Sequence, residues 1–284
     1  MKSISCNTIK EKVKELCIAT NYHLPDDVKE KLCSCIKDEP YELAKNTLKS
    51  IKENFEIAEN GIFPICQDTG MACIFVEIGQ EVHIIDGNLA DCINDGVREG
   101  YKEGFLRKSV VNDPVFSRIN TTDNTPAIIH YEIVPGDNLK ITVAPKGFGS
   151  ENMCKIKMLK PSDGIEGIKD FVISVVADAG PNACPPIVVG VGIGGNFEKV
   201  ALLSKKAMIR NINSKNPDPR YAKLEQELLA KINNLGIGPA GYGGKNTALS
   251  VNIETFPTHI AGMPVAVSIC CHVARHKEVI LWLN

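Results

Sequence analysis

No stretch of these 284 residues approaches the roughly 20 consecutive apolar residues that a membrane-spanning helix needs. The opening residues 1–16, studded with lysine and glutamate, have no apolar core of the kind that marks an export leader. Both absences lead us to expect a cytoplasmic protein. An excess of charge of one sign is missing too: 32 Lys+Arg against 34 Asp+Glu leave a net charge of -2, with no block of like charges. That removes the electrostatic footprint of phosphate-backbone binding, so nucleic acid is not an expected partner. There are 11 cysteines but no C-x-x-C pair, which counts against a zinc knuckle, a zinc-binding or iron-sulfur scaffold without catalysis being kept as an alternative. Without an export leader these thiols should stay reduced, leaving metal ligation, reactivity and plain burial as competing roles.

What is present reads as an α/β (mixed α+β) chain with a helical N-terminal segment, forming a single domain over 1–284. In the first sixty residues Ile9, Val13, Leu16 and Cys17 recur at helical spacing. So do Val28, Leu32, Cys35 and Ile36, and then Leu48, Ile51, Phe55 and Ala58 before an Asn60-Gly61 stop. From Gly61 the texture changes to short apolar runs between turn residues, which predicts strands over 72–78, 82–85, 127–134 and 139–144. Helices are predicted over 162–179, 197–210 and 220–235, and strands over 187–193, 248–253 and 265–270.

Three cysteines stand at the ends of such elements, where a scaffold can present ligands to one point. Cys66 lies in a turn-rich segment before a strand, Cys184 between prolines that exclude helix, and Cys271 at the end of a strand beside Cys270 and His272. Thiolates from three separate places suit an iron-sulfur cluster, and a four-iron cluster on three cysteines keeps one iron open to act as a Lewis acid. For Cys17, Cys33, Cys35, Cys73, Cys92 and Cys154 burial is the expected role. His259, one turn upstream of the strand leading to Cys271, is expected near the same cluster. Gly190–Gly195 matches the G-x-G-x-x-G fingerprint of a nucleotide-binding oxidoreductase. The segment 207–214, about 20 residues on, holds no acidic residue for a ribose, so close strand-helix packing is the favoured role.

The segments 64–70, 120–127, 146–152, 184–186 and 236–245, in this order, resemble the class I fumarase family. The likeness is nearest to the alpha subunit of two-subunit fumarate hydratases or L(+)-tartrate dehydratases. The resemblance implies a 4Fe-4S cluster on Cys66, Cys184 and Cys271; Cys271 is preferred to Cys270 because the family's third cysteine precedes an arginine by four residues, here Arg275. It further implies substrate contacts from Gln67, Arg107 and Gly149, and catalytic roles for Asp68 and His259. Arginine offers a bidentate fork for a dicarboxylate, and an aspartate beside a cluster ligand could move a proton or orient water. Without the resemblance Asp68 reads as a turn-stabilising residue before Thr69-Gly70. The implied reaction is reversible hydration of a four-carbon dicarboxylate, fumarate before tartrate. The base belongs to a carboxy-terminal portion that these residues do not include, so a beta subunit and an alpha2beta2-type assembly are expected.

Overall fold

The computed structural model describes residues 3–282. Along the chain run β1 (Ser3–Ser5), α1 (Cys6–Tyr22), α2 (Asp26–Asp38), α3 (Glu42–Glu59), β2 (Met71–Gly79), β3 (His83–Ile85) and α4 (Leu89–Glu103). There follow β4 (Ile128–Val134), β5 (Asn138–Lys146), α5 (Phe148–Glu151), β6 (Lys155–Leu159), α6 (Gly164–Ala179) and β7 (Ile187–Gly194). The last elements are α7 (Phe197–Met208), α8 (Pro219–Asn233), β8 (Ala248–Phe256), β9 (Met263–Cys270) and β10 (Lys277–Trp282). The mixed α/β class and the three helices of the first sixty residues are as the sequence leads one to expect. No helix among the described residues is long and apolar enough to cross a membrane.

The chain forms two compact units. The first comprises residues 1–24, 55–147 and 275–284, the second 25–54 and 148–274, and helix α3 is divided between them. In the first unit a four-stranded sheet has the order β10-β5-β2-β4, with β2 parallel to β4 and antiparallel to β5. Helix α1 starts where the Ser5 hydroxyl accepts the Thr8 N–H at 3.2 Å, an N-cap that satisfies one of the orphan donors of the first turn. Its Ile9, Val13 and Cys17 join Ile93, Val97 and Tyr101 of α4 over Ile74, Val76, Ile141 and Val143 of the sheet to make the core. The helices approach so closely that a Cβ on Gly96 would stand 2.6 Å from the Lys10 carbonyl oxygen.

The second unit holds a sheet of order β6-β9-β7-β8. Every residue of β7 is buried, which explains its unbroken apolar run. Val172, Val175 and Val176 of α6 and Leu224, Leu228 and Ile232 of α8 cover one face. On the other face α7 lies against two glycines: a Cβ on Gly190 would meet the Ser204 carbonyl oxygen at 2.2 Å, and one on Gly192 the Val200 carbonyl oxygen at 2.2 Å. Close packing thus accounts for the glycine spacing of 190–195. One neighbour of β7 is the antiparallel β9, unlike the all-parallel sheet of a dinucleotide fold.

Candidate active site

The candidate residues fall into two groups, one in each unit. In the first unit Cys66, Gln67 and Asp68 form the turn leading into β2; Cys66 and Asp68 are half-buried and Gln67 is exposed. Asp68 takes the turn role that its local sequence suggests, its Oδ1 accepting the Gly70 N–H at 3.0 Å. A Cβ on Gly147 would stand 3.0 Å from Asp68 Oδ2, so the glycine makes room for the carboxylate.

Distant side chains hold this turn. The Tyr101 hydroxyl donates to the carbonyls of Thr69 at 2.8 Å and Gly70 at 3.0 Å, and burial pushes its phenol pKa up, keeping it a donor. Asn124, left-handed at φ 64 and fully buried, donates to the Gly70 carbonyl at 3.2 Å and accepts the Ser109 N–H at 2.8 Å. The Thr69 hydroxyl donates to the Arg107 carbonyl at 2.8 Å, which sets the exposed Arg107 beside the cysteine turn. Arg275, 5% exposed, donates through Nη2 to the Asp68 carbonyl at 2.5 Å. Its Nε and Nη1 are buried and have no hydrogen-bond partner among the described residues. A buried guanidinium with two unmet donors is costly unless something anionic or polar answers it.

In the second unit Cys184 ends the 3-10 turn Gly180–Ala183 in the left-handed conformation, φ 51, ψ 63, with its N–H bonded to the Pro181 carbonyl. Its side chain is exposed. Its carbonyl accepts the backbone N–H of His272 at 3.2 Å and the imidazole Nδ1–H at 2.9 Å. Cys271 is therefore beside Cys184, because β7 starts where its antiparallel neighbour β9 ends. Cys270 is the last residue of β9, paired with Val188, whereas Cys271 is off the strand. Gly149 also faces this turn, an added Cβ lying 3.8 Å from the Asn182 carbonyl oxygen.

His259 is not brought to these cysteines. It occupies the turn after β8, with Nδ1 accepting the Ala261 N–H at 3.2 Å. The whole of β9 separates it from Cys271. At about 3.3 Å per residue a strand of that length places the two at opposite ends of the sheet, some 25 Å apart. The expectation of a shared neighbourhood came from sequence proximity, and strand direction overrides it.

Of the other cysteines, Cys6, Cys17, Cys35 and Cys92 are buried as packing groups, whereas Cys33, Cys73 and Cys154, for which burial was expected, are only half-buried, as is Cys270. Burial pushes the thiols of Cys17 and Cys92 up to about 12 and that of Cys35 up to about 11, far from the thiolate form that binds metal. Cys184 is exposed and Cys66 and Cys271 are half-buried, and none of the three is in a disulfide. This donor set fits thiolate ligation, and the buried charge of Arg275 beneath the Cys66 turn fits an anionic neighbour. Among the described residues no three His, Cys, Asp or Glu side chains are already gathered as a metal-ion site. Sequence reading missed Tyr101 and Asn124 as supports and used Arg275 only as a marker of position; the four-residue spacing from Cys271 was the available signal.

Comparison with known proteins agrees with the motif order. The family model described as fumarate hydratase (Fumerase) matches residues 10–280. A Methanocaldococcus jannaschii protein, whose name provisionally assigns it as an L(+)-tartrate dehydratase alpha subunit, is 44% identical over 271 residues, 94% of this chain and 95% of that protein. The L(+)-tartrate dehydratase subunit alpha of Escherichia coli O157:H7 is 34% identical over 284 residues, covering 99% of this chain and 93% of its own length. That of Escherichia coli K12 is 33% identical with the same coverage. This chain belongs to the fumarate hydratase (Fumerase) family of hydro-lyases.

Proposed function

We propose that the chain is the alpha subunit of a 4Fe-4S-dependent hydro-lyase that reversibly hydrates fumarate to (S)-malate, together with a beta subunit. The observation that carries this reading is the pairing of accessible cysteines with a braced carboxylate and cation. Cys66 stands two residues before Asp68, whose carbonyl Arg275 holds, in one unit, and Cys184 stands beside Cys271 and Gly149 in the other.

Cys66, Cys184 and Cys271 are the residues that would hold the cluster. When bound it supplies a Lewis acid for a substrate hydroxyl and carboxylate. Arg107 presents a planar fork for the distal carboxylate, and Gln67 adds a neutral donor and acceptor next to it. The N–H at Gly149 can approach a carboxylate closely because no side chain intervenes. Asp68, fixed through Oδ1 and given room beside Gly147, would orient water or carry a proton. The base that removes the poorly acidic carbon-bound proton belongs to the beta subunit in this reading.

L(+)-tartrate is the second reading, favoured by the names of the relatives, which are L(+)-tartrate dehydratase alpha subunits. Anaerobic reconstitution should give about four irons and four sulfides per chain, with a spectrum that fumarate perturbs. Cys66→Ser should lose this iron and Cys35→Ser retain it; equal retention would overturn the assignment. Malate or oxaloacetate formation by the reconstituted pair of subunits then decides between fumarate and tartrate. The chain alone should show little turnover.

A further inference from the structure

Strand β4 is the edge of the first unit's sheet, and among the described residues it pairs with β2 alone. Five of its residues, Ile128, Ile129, Tyr131, Ile133 and Val134, are apolar or aromatic, yet none of the strand is buried. Ile133 is 76% exposed, Tyr131 48% and Ile128 44%. Long apolar edges are usually blunted with lysine or proline or covered by side chains. The other three edges of the two four-stranded sheets carry charge or have their outer groups covered. β10 begins with Lys277 and Glu278, β6 carries Lys155 and Lys157, and β8 has its outer N–H groups taken by Asn233 at Ala248 and by Glu225 at Ile253. β4 contains neither lysine nor proline.

The backbone says which residues face outward. The Val134 carbonyl accepts the Gln80 N–H at 2.8 Å, so Val134 directs its groups towards β2. In a parallel pair alternate residues turn both N–H and C=O to the same side. Ile129, Tyr131 and Ile133 therefore present theirs to the open edge. The sequence Ile-Ile-His-Tyr-Glu-Ile-Val is self-complementary about Tyr131 when laid antiparallel on itself. Ile129 faces Ile133, Ile128 faces Val134, His130 faces Glu132, and Tyr131 faces Tyr131. Both apolar pairs match like with like, and the one ionisable pair matches a base with an acid.

We infer that two copies of this chain associate through antiparallel pairing of their β4 strands about a twofold axis at Tyr131, joining two four-stranded sheets into one. Such an interface is isologous, so each pair off the axis occurs twice and the outward backbone groups of Ile129, Tyr131 and Ile133 find partners together. The inference is independent of the cluster and of the substrate.

Sedimentation of the full chain over a range of concentrations tests it. Wild type should reach a dimer at micromolar concentration, and Ile133→Lys should raise the dissociation constant at least about 100-fold while melting like wild type at concentrations where both are monomeric, since Ile133 is largely exposed. The register is read by mixing His130→Cys and Glu132→Cys chains under mild oxidation. Facing residues of a non-hydrogen-bonded pair lie about 4.5 Å apart at Cα, within disulfide reach, and the mixed crosslink should dominate over either self-crosslink. A chain that stays monomeric at about 100 µM, or a dimer indifferent to Ile133→Lys, would overturn the inference. A strand of another protein occupying β4 would show itself as the first of these outcomes.

Discussion

The two cysteine-bearing turns are held by different means. In the first unit the Cys66 turn is braced by side chains from far along the sequence: Tyr101 donates to the Thr69 and Gly70 carbonyls, Asn124 to the Gly70 carbonyl and Arg275 to the Asp68 carbonyl. In the second unit the Cys184 turn is held mainly by backbone, with Cys184 N–H on the Pro181 carbonyl, His272 N–H on the Cys184 carbonyl and Ala240 N–H on the Pro185 carbonyl. A turn braced by side chains can be released by one substitution, whereas a turn held by backbone changes little when a single side chain is cut.

The largest expected contrast is in thiol alkylation of the cluster-free chain near pH 8. Cys184, exposed on its backbone-held turn, should react first and half-buried Cys66 more slowly. Cys17, Cys35 and Cys92 should lag by at least about 100-fold, since reactivity follows thiolate fraction and access. Peptide mapping of the label with time gives the order, and Cys66 matching Cys184 would erase the contrast.

Next in size is Gly70→Ala. Gly70 sits at φ 77, and a Cβ there would stand 2.8 Å from the Lys146 backbone, so about 2–4 kcal/mol of stability should be lost in a urea melt. Gly149→Ala, with 3.8 Å of room, should lose less than about 1 kcal/mol. Similar losses at both would break the comparison.

The sharpest test removes one donor on each side. Tyr101→Phe strips the hydroxyl from two buried carbonyls and should cost about 1–3 kcal/mol. His272→Ala leaves the backbone N–H still serving the Cys184 carbonyl and should cost about 0.5–1 kcal/mol.

The smallest effect is confined to acid. Burial works against the Asp123 carboxylate, but the Thr125 N–H and hydroxyl and the Arg98 guanidinium outweigh it and hold the pKa down to about 2. The ionised group thus adds stability that is fully present above the unfolded value near 3.9 and lost as pH falls through about 2. The stability gap between wild type and Asp123→Asn should be constant from pH 6 to 8 and close between about pH 4 and 2. A gap that persists at pH 2 would remove Asp123 from the acid response.

The sequence was legible where one physical cause dominates. Residues 187–193 read as a buried strand because burial on both faces dominates them. Helix α4 escaped notice because Gly96 and Gly100 look like breaks; they are the places where α1 comes within 3 Å of a would-be Cβ. Strands β6 and β10 were hidden by charged edge positions such as Lys155, Lys157 and Lys277. At the candidate site the motifs point to Cys66, Cys184 and Cys271, but not to Tyr101 or Asn124, whose part depends on contacts spanning tens of residues. The displacement of His259 was equally unreadable, because spacing along the chain does not say at which end of a sheet a turn emerges.

The deep burial of Cys17, Cys35 and Cys92 sets how this protein fails under oxidants. Thiols held at about 11 to 12 and shielded from solvent do not enter the sulfenic acid ladder readily, so peroxide should mark Cys184 before any cysteine that supports a core. Damage then begins at the candidate site and spares the architecture. An inactivated chain would remain folded, and reduction of a sulfenic acid or disulfide could restore it without resynthesis.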